Sequence, residues 1–477
     1  MKTTLPILAA ILCLLLTACT SSPSESQSDS SFQSSVQSVD SKSETTSSSS
    51  SSSSSTIVFP KLEKFKQTGK ITETVLYDQN DVKITATGLT YNNYEAQLEL
   101  NIENNTAKDL DFRSGTLAYC CNSVNNYMVD MGYLNCEVAA GKKANDSIKL
   151  SYSSLQMYGI NEIAEIEIGF DIDAADIFDD EFEEIYTGPC AVKTSLSESH
   201  NYSGSTFCEA MSDLAVQGEF GFTLNYIAED KLYDSNGISV ISEVIATNKD
   251  GDRMLFLEVE NGTSEVVHIQ TSDITLNGLK LYGSNYSYDT INPGKRCVVD
   301  LSFDNMLDMQ YWDAFGLSEV NSAGLNVKFI RDDLTEIGSA DLTITANTSG
   351  KMFSEDGAEI YNKNGIRIIS KGLFGGEYSY DDNCYLLLLV ENSSAATLTV
   401  DDKYDSLSVN GYMTDYYCGS VTLKAGEAQA LKIRLNSDSL VKNKVEDISS
   451  IEDIEFTVRI RDEKYKDIDN AAVNITF

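Results

Sequence analysis

A chain of 477 residues, 42% hydrophobic and 23% charged, has the apolar content of an ordinary folded protein and the length for about three domains. Its charge is far from ordinary, since 73 acidic against 35 basic residues leave a formal net charge of -38 and a pI near 4.2. Such a surface repels phosphates, which argues against a nucleic-acid partner, and it repels anionic headgroups while favouring cationic partners.

The chain opens with one positive charge, Lys2, an apolar run from Leu5 to Leu16, and the tetrapeptide Leu16-Thr17-Ala18-Cys19. That order reads as a lipoprotein signal peptide over residues 1–18, cleaved before Cys19, which is expected to carry the lipid. The run is too short to cross a bilayer. Lipid on Cys19 would tether the chain to the outer face of the cytoplasmic membrane, at the cell surface. An ordinary signal peptide with an incidental cysteine is the alternative. Residues 19–60 are dominated by serine, with an unbroken run from Ser47 to Ser55. They cannot bury a core and read as a disordered stalk with a random-coil span of roughly 30 to 35 Å.

Beyond the stalk the sequence repeats itself. A turn followed by alternating apolar residues occurs at Tyr77-Asp78-Gln79-Asn80-Asp81-Val82, at Tyr233-Asp234-Ser235-Asn236-Gly237-Ile238 and at Tyr361-Asn362-Lys363-Asn364-Gly365-Ile366. An apolar strand running into a Glu-Asn turn follows each time. The strands are Ala96-Leu98-Leu100-Ile102, Leu255-Leu257-Val259 and Leu386-Leu388-Val390, and the turns begin at Glu103-Asn104, Glu260-Asn261 and Glu391-Asn392. Glycine turns at Gly141, Gly294 and Gly426 lead into a further strand, then a short helical stretch (clearest at Met306, Met309 and Trp312), then a closing pair of strands.

Each unit therefore holds about seven short strands of period two over roughly 120 residues, the arithmetic of an antiparallel β-sandwich. Long amphipathic helices between strands are missing, which excludes a doubly wound parallel sheet. The predicted fold is all-β, with three tandem immunoglobulin-like sandwiches at 61–197, 198–347 and 348–477, the second preceded by a short helix. That helix is placed by the capping-box pattern Thr206-Phe207-Cys208-Glu209 and by Phe207, Ala210, Met211 and Leu214 on one face. After it, Phe220-Phe222-Leu224-Tyr226 alternates as an added strand.

The series of turn, alternating strand, long apolar strand ending in Glu260-Asn261-Gly262, and Pro293-Gly294-Lys295 turn resembles the immunoglobulin-like domains of unknown function in Gram-positive surface lipoproteins. The second unit, from about Gly237 to Phe303, carries the resemblance best. It implies a fold and a surface location, with no catalytic residues.

Chemistry is sparse. Tyrosines gather at corresponding places: Tyr127 and Tyr133; Tyr282, Tyr286 and Tyr288; Tyr412, Tyr416 and Tyr417. Exposed rings there would stack on sugars or anchor a protein, so the last six form the candidate binding face; tyrosine packing across strands is the plainer alternative. An acidic segment from Asp171 to Glu184 has no basic residue within it, and Asp176, Asp179 and Asp180 are its calcium candidates, although its spacing is not that of an EF-hand. Asn248-Lys249-Asp250-Gly251-Asp252 looks like a metal loop but falls between two strands, where a hairpin tip is expected. With Cys13 in the signal and Cys19 lipidated, eight cysteines remain. Cys120 or Cys121 with Cys136, and Cys384 with Cys418, are the pairs that could bridge, and small buried thiols are the alternative. His200 and His268 alone do not make a zinc site. Nucleophile-elbow, HExxH, P-loop and dinucleotide patterns are all missing. The expectation is a non-enzymatic lipoprotein without cofactor, anchored in the membrane by lipid, that binds or spaces a protein or cell-wall glycan. A solute-binding lipoprotein of a transporter, or a cell-wall hydrolase, is the rival.

Overall fold

The computed structural model describes residues 59–115, 122–176, 182–281, 288–304, 307, 311–347, 352–375, 384–445 and 447–477. Within them the chain is all-β, with short helices at the crossings. The first unit contains β1 (Thr74–Gln79), β2 (Val82–Tyr91), β3 (Glu95–Asn104), β4 (Leu110–Ser114), β5 (Asn122–Val124), β6 (Tyr127–Val129), β7 (Leu134–Val138) and β8 (Lys142–Ser151). It continues with α1 (Tyr152–Met157), β9 (Glu165–Ile168), β10 (Asp171–Ala174), β11 (Ile185–Tyr186) and β12 (Cys190–Lys193). Two helices follow, α2 (Thr206–Ser212) and α3 (Leu214–Phe220).

The second unit holds β13 (Phe222–Ala228), β14 (Tyr233–Ser235), β15 (Ile238–Asn248), β16 (Arg253–Asn261), β17 (Val267–Leu276), β18 (Leu279–Lys280), β19 (Tyr288–Ile291), β20 (Arg296–Ser302), α4 (Trp312–Phe315), β21 (Ser322–Ile330) and β22 (Glu336–Thr345). The third holds β23 (Ala358–Lys363), β24 (Ile366–Gly375), β25 (Cys384–Asn392), β26 (Leu398–Asp402), β27 (Ser408–Val409), β28 (Tyr412–Met413), β29 (Tyr416–Cys418), β30 (Val421–Leu423) and β31 (Ala428–Leu435). It closes with α5 (Ser437–Lys442), β32 (Asp453–Asp462) and β33 (Asp467–Thr476).

One sheet recurs in the order β1-β2-β3-β8, β14-β15-β16-β20 and β23-β24-β25-β31. Its first hairpin turns at Asn80-Asp81, Asn236-Gly237 and Asn364-Gly365, all at positive φ, which is the two-residue turn whose twist suits paired strands. The long central ladder carries a register shift in every unit, between Ala86 and Gly88, Val240 and Ser242, and Ser370 and Gly372.

The Glu-Asn repeat turns out to be a buried crosspiece. Asn104, Asn261 and Asn392 are almost wholly buried at the ends of β3, β16 and β25. The amide nitrogen of Asn261 donates to the carbonyls of Glu265, Ile291 and Asn292, while its oxygen accepts from the backbone and hydroxyl of Thr263. Asn392 does the same with Ala396, Leu423, Lys424 and Ser394, and Asn104 with Lys108, Val138 and Thr106. An amide can satisfy two strand ends at once, which is why this side chain is needed three times.

The sheets do not stop at unit boundaries. A nine-stranded sheet joins β12-β9-β5-β6 of the first unit to β20-β16-β15-β13 of the second, with β14 also paired to β15, and a ten-stranded sheet joins β22-β21-β17-β18 of the second to β31-β25-β24-β23 of the third, with β19 also on β17 and β29 on β31. The cores follow suit. The first includes Val244 and Ala246 of the second unit, and the second includes Tyr385, Leu387 and Leu389 of the third.

The helix expected before the second sandwich forms, with two corrections. Ser205, one residue earlier than predicted, is the cap that accepts from the Cys208 amide. Asp213 then starts a second helix by accepting from Ala215, so Leu214 rotates out to solvent and Phe220 ends a helix instead of beginning a strand. Phe207, Ala210 and Met211 are buried as predicted, but in the core of the first sandwich.

Candidate functional site

The joints between sandwiches are the most differentiated places in the molecule, and each is built by a second hairpin. Asn125-Asn126 between β5 and β6, and Asn277-Gly278 between β17 and β18, both turn at positive φ. The strand leaving each turn pairs, parallel, with the third long strand of the next unit, Tyr127 opposite Arg296 and Lys280 opposite Gln429. Counting from the buried asparagines, these two bridges are one register: the residues after Tyr127 and Arg296, Met128 and Cys297, correspond to Lys280 and Gln429.

At the first joint the contacts are charged. Glu258 is fully buried and accepts from the hydroxyls of Tyr127 (2.7 Å), Ser205 (2.6 Å) and Ser242 (2.9 Å). Arg296, also buried, reaches Glu258 at 3.4 Å, Glu260 at 3.0 Å and the Gly204 carbonyl at 2.8 Å. Lys295 meets Glu167 at 2.9 Å. Burial and the Glu258 carboxylate push the Tyr127 phenol up, so it stays a donor at neutral pH. At Gly159, φ 73° and a would-be Cβ only 2.2 Å from the Thr206 carbonyl make glycine obligatory where α1 meets the linker.

At the second joint the same positions are apolar: Leu389 replaces Glu258 and Ala428 replaces Arg296. Leu387, Leu389 and Ala430 pack into the second core. Tyr311 contacts Phe374 and Tyr385 with ring centroids 5.6 and 6.1 Å away, and the Lys432 ammonium lies 4.8 Å from the Tyr385 ring and 5.7 Å from that of Tyr311.

The third sandwich makes the same hairpin at Asn410-Gly411, and there it is uncovered. β28 is the edge of a six-stranded sheet, with Tyr412 and Met413 58% and 61% exposed. Of the predicted tyrosine face, Tyr412 and Tyr417 (60% exposed) are open to solvent. Tyr416 is half-buried, its hydroxyl donating to Asp402, so it supports the site without facing outward. Tyr288 opens β19 opposite Gln270, while Tyr282, Tyr286 and Cys19 lie outside the described residues. In the first unit Tyr127 is buried in the joint and Tyr133 is exposed.

Of the calcium candidates, Asp179 and Asp180 lie outside the described residues, and Asp176 follows β10. No cluster of three acidic, histidine or cysteine side chains arranged for a metal occurs among the described residues. The neighbouring Asp171 carboxyl, and then burial, raise the Glu184 pKa. Asn248-Asp252 is a hairpin turn, the Asn248 carbonyl oxygen of its side chain accepting from the Asp250 and Asp252 amides. Cys384 and Cys418 are free thiols: they sit on β25 and β29, on opposite sides of β31, too far apart to bridge. Cys136 is free, and Cys120 and Cys121 lie outside the described residues. His268 sits in β17 with its ring nitrogens 3.0 Å from Thr290 and 2.6 Å from Asp332. No helix among the described residues is long and apolar enough to cross a membrane.

No family model matches the chain, and no curated protein matches it. Solved structures with some likeness include red sea bream transglutaminase (10% identity, TM-score 0.14, 58% of this chain and 31% of that one) and the exo-chitosanase of Amycolatopsis orientalis (7%, 0.16, 85% and 78%). A structure concerned with host cell surface retention of a 1.5-MDa bacterial ice-binding adhesin is similar at 9% identity and TM-score 0.13, covering 80% of this chain and 90% of that one. This chain thus spans about a third of the transglutaminase.

The joint hairpins were not read from the sequence, although the signal was there. Asn277-Gly278 and Asn410-Gly411, flanked by Leu276 and Leu279 or Val409 and Tyr412, are two-residue hairpin signatures.

Proposed function

We propose that the chain is a non-enzymatic extracellular lipoprotein, tethered to the membrane through Cys19, whose joined sandwiches present the open hairpin of the third as a binding face for a protein or a cell-wall glycan. The observation behind this reading is that a hairpin buried twice as a joint stands uncovered the third time, with Tyr412 and Met413 outward, and that Tyr417 on the following strand β29 is exposed as well. Rigid rings on an open strand edge supply contact area at low entropic cost, and the edge adds backbone donors and acceptors.

Retention of the full chain on cell-wall polysaccharide, and on wall and secreted protein fractions, tests it. Tyr412→Ser with Tyr417→Ser should lower retention at least tenfold on one of the two while leaving the melting temperature nearly unchanged, because neither ring is buried. Retention equal to that of the unaltered chain on both supports would sink the proposal.

A further inference from the structure

A cleft of about 290 Å³ opens at the first joint. Tyr158, Phe207 and Phe256 form its walls, Val298 and Ser154 line it further, and two carboxylates, Asp130 and Asp300, stand at its rim. Neither Lys nor Arg lines it. Burial, and then the neighbouring Asp130 charge, raise the Asp300 pKa.

The second joint shows what this place holds when it is filled. Asp300 faces Phe256 across β16 and β20, and in the same register Lys432 faces Leu387 across β25 and β31. Both crossing helices end on a left-handed glycine, Gly159 or Gly316, and close with matching hydrogen bonds, Ile160 to Leu155 and Leu317 to Trp312. Counted back from those glycines, Ser154 stands where the second joint has Tyr311. The filled joint therefore places an aromatic ring and an ammonium against each other, Lys432 over Tyr311 and Tyr385. At the first joint the ring has become a serine and the cation an aspartate, and a cleft remains.

We propose that this cleft binds a small organic cation, an ammonium on an aromatic or other apolar body, with the ammonium between Asp130 and Asp300 and the body against Phe207 and Phe256. A cation over ring faces beside carboxylates is favourable where water is partly excluded, and the walls supply the apolar contact. The inference goes beyond the binding face at the third hairpin and does not rest on it.

Calorimetric titration of the full chain with phenethylammonium, against neutral 2-phenylethanol, tests the proposal. Saturable binding of the cation, at least tenfold tighter than the alcohol, is expected. Asp300→Asn should weaken it about tenfold. Ser154→Tyr with Asp300→Lys, which rebuilds the second joint, should abolish it without lowering the melting temperature. Equal binding of amine and alcohol, no saturable heat with phenethylammonium, or full binding by the rebuilt joint would each overturn it. Because Asp300→Asn is nearly isosteric and its side chain lies at the rim, its effect can be read even if the rebuilt joint folds poorly.

Discussion

The two joints share one backbone solution and use opposite chemistry to stabilise it. In both, a two-residue hairpin lays its departing strand parallel to the third long strand of the next unit, in one register. The first joint then buries Glu258 and Arg296 with three hydroxyls, whereas the second buries Leu389 and Ala428 in the apolar core of the second unit. Shape is thus set by turn and ladder, and side chains are free to differ. What the difference changes is tolerance: a hydrogen-bonded ion pair fails badly when one partner is lost, while an apolar contact weakens in proportion to the atoms removed.

The largest effect should come from Glu258→Ala. It strips Tyr127, Ser205 and Ser242 of their acceptor and leaves buried Arg296 with Glu260 as its one carboxylate beside the Gly204 carbonyl. A loss of about 4 kcal/mol in chemical denaturation is expected, with native-state hydrogen exchange accelerating in β6 and β20 before it does so in β31. A loss under about 1 kcal/mol would mean that the charges at the first joint contribute little and that the contrast is one of appearance.

The sequence made part of this legible. Period-two apolar strands, turn dipeptides and the thrice-repeated Glu-Asn gave the all-β class and the repeat. β3 alternates strictly, Ala96, Leu98, Leu100 and Ile102 inward and polar residues between them, because its other face is not covered. β25 is buried at every position, and its unbroken run Leu386-Leu387-Leu388-Leu389-Val390 already records two covered faces. Reading that run as an alternation passed over Leu387 and Leu389, the residues that form the second joint. Glu258 could not be found in this way, since a buried carboxylate and a solvent-facing one look alike in a strand until its partners, up to 131 residues away, are brought together. Tyrosine clustering likewise mixed roles: Tyr127 is joint core, Tyr416 a brace, Tyr412 and Tyr417 surface.

A second carboxylate on the same strand pair sharpens the point about partners. Glu243 is 2% exposed, points to the face of Leu257, and has only Tyr226 within hydrogen-bonding distance, at 3.4 Å, with its second oxygen unpartnered. Burial, and then the Asp230 charge, push its pKa from the usual 4.5 to about 7. Below about pH 4.5 folded and unfolded chains both hold the proton. Between there and pH 7 the unfolded chain releases it first, so stability falls as pH rises and the full penalty is present above pH 7. Glu243→Gln should therefore gain about 2 to 3 kcal/mol relative to the native chain on going from pH 4.5 to 8. An unchanged pH dependence in the variant would show that this carboxyl does not titrate in that window.

Lys432→Met probes the second joint with a smaller change, keeping most of the side-chain volume while removing the charge above Tyr385 and Tyr311. About 1 kcal/mol should be lost, and Lys432→Arg should keep most of it, since a guanidinium can also lie on the rings. Equal losses for both would mean that packing, and no attraction to the rings, holds that lysine.

The smallest expected effect is the most searching. Tyr127→Leu, Glu258→Leu and Arg296→Ala together place at the first joint the residues that the second has in the same register, Leu279, Leu389 and Ala428. Replacing a satisfied buried ion pair by apolar groups is often close to neutral, because the desolvation of both charges disappears along with their attraction. The triple variant should stay within about 1 kcal/mol of the native chain, although loss of the Glu258 carboxylate alone, as in Glu258→Ala, is expected to be severe. A triple variant as damaged as Glu258→Ala would show that the shared register does not extend to the packing around it. A neutral one would show that the joint is specified by the hairpin and the ladder, with its charges serving a role other than holding the sandwiches together.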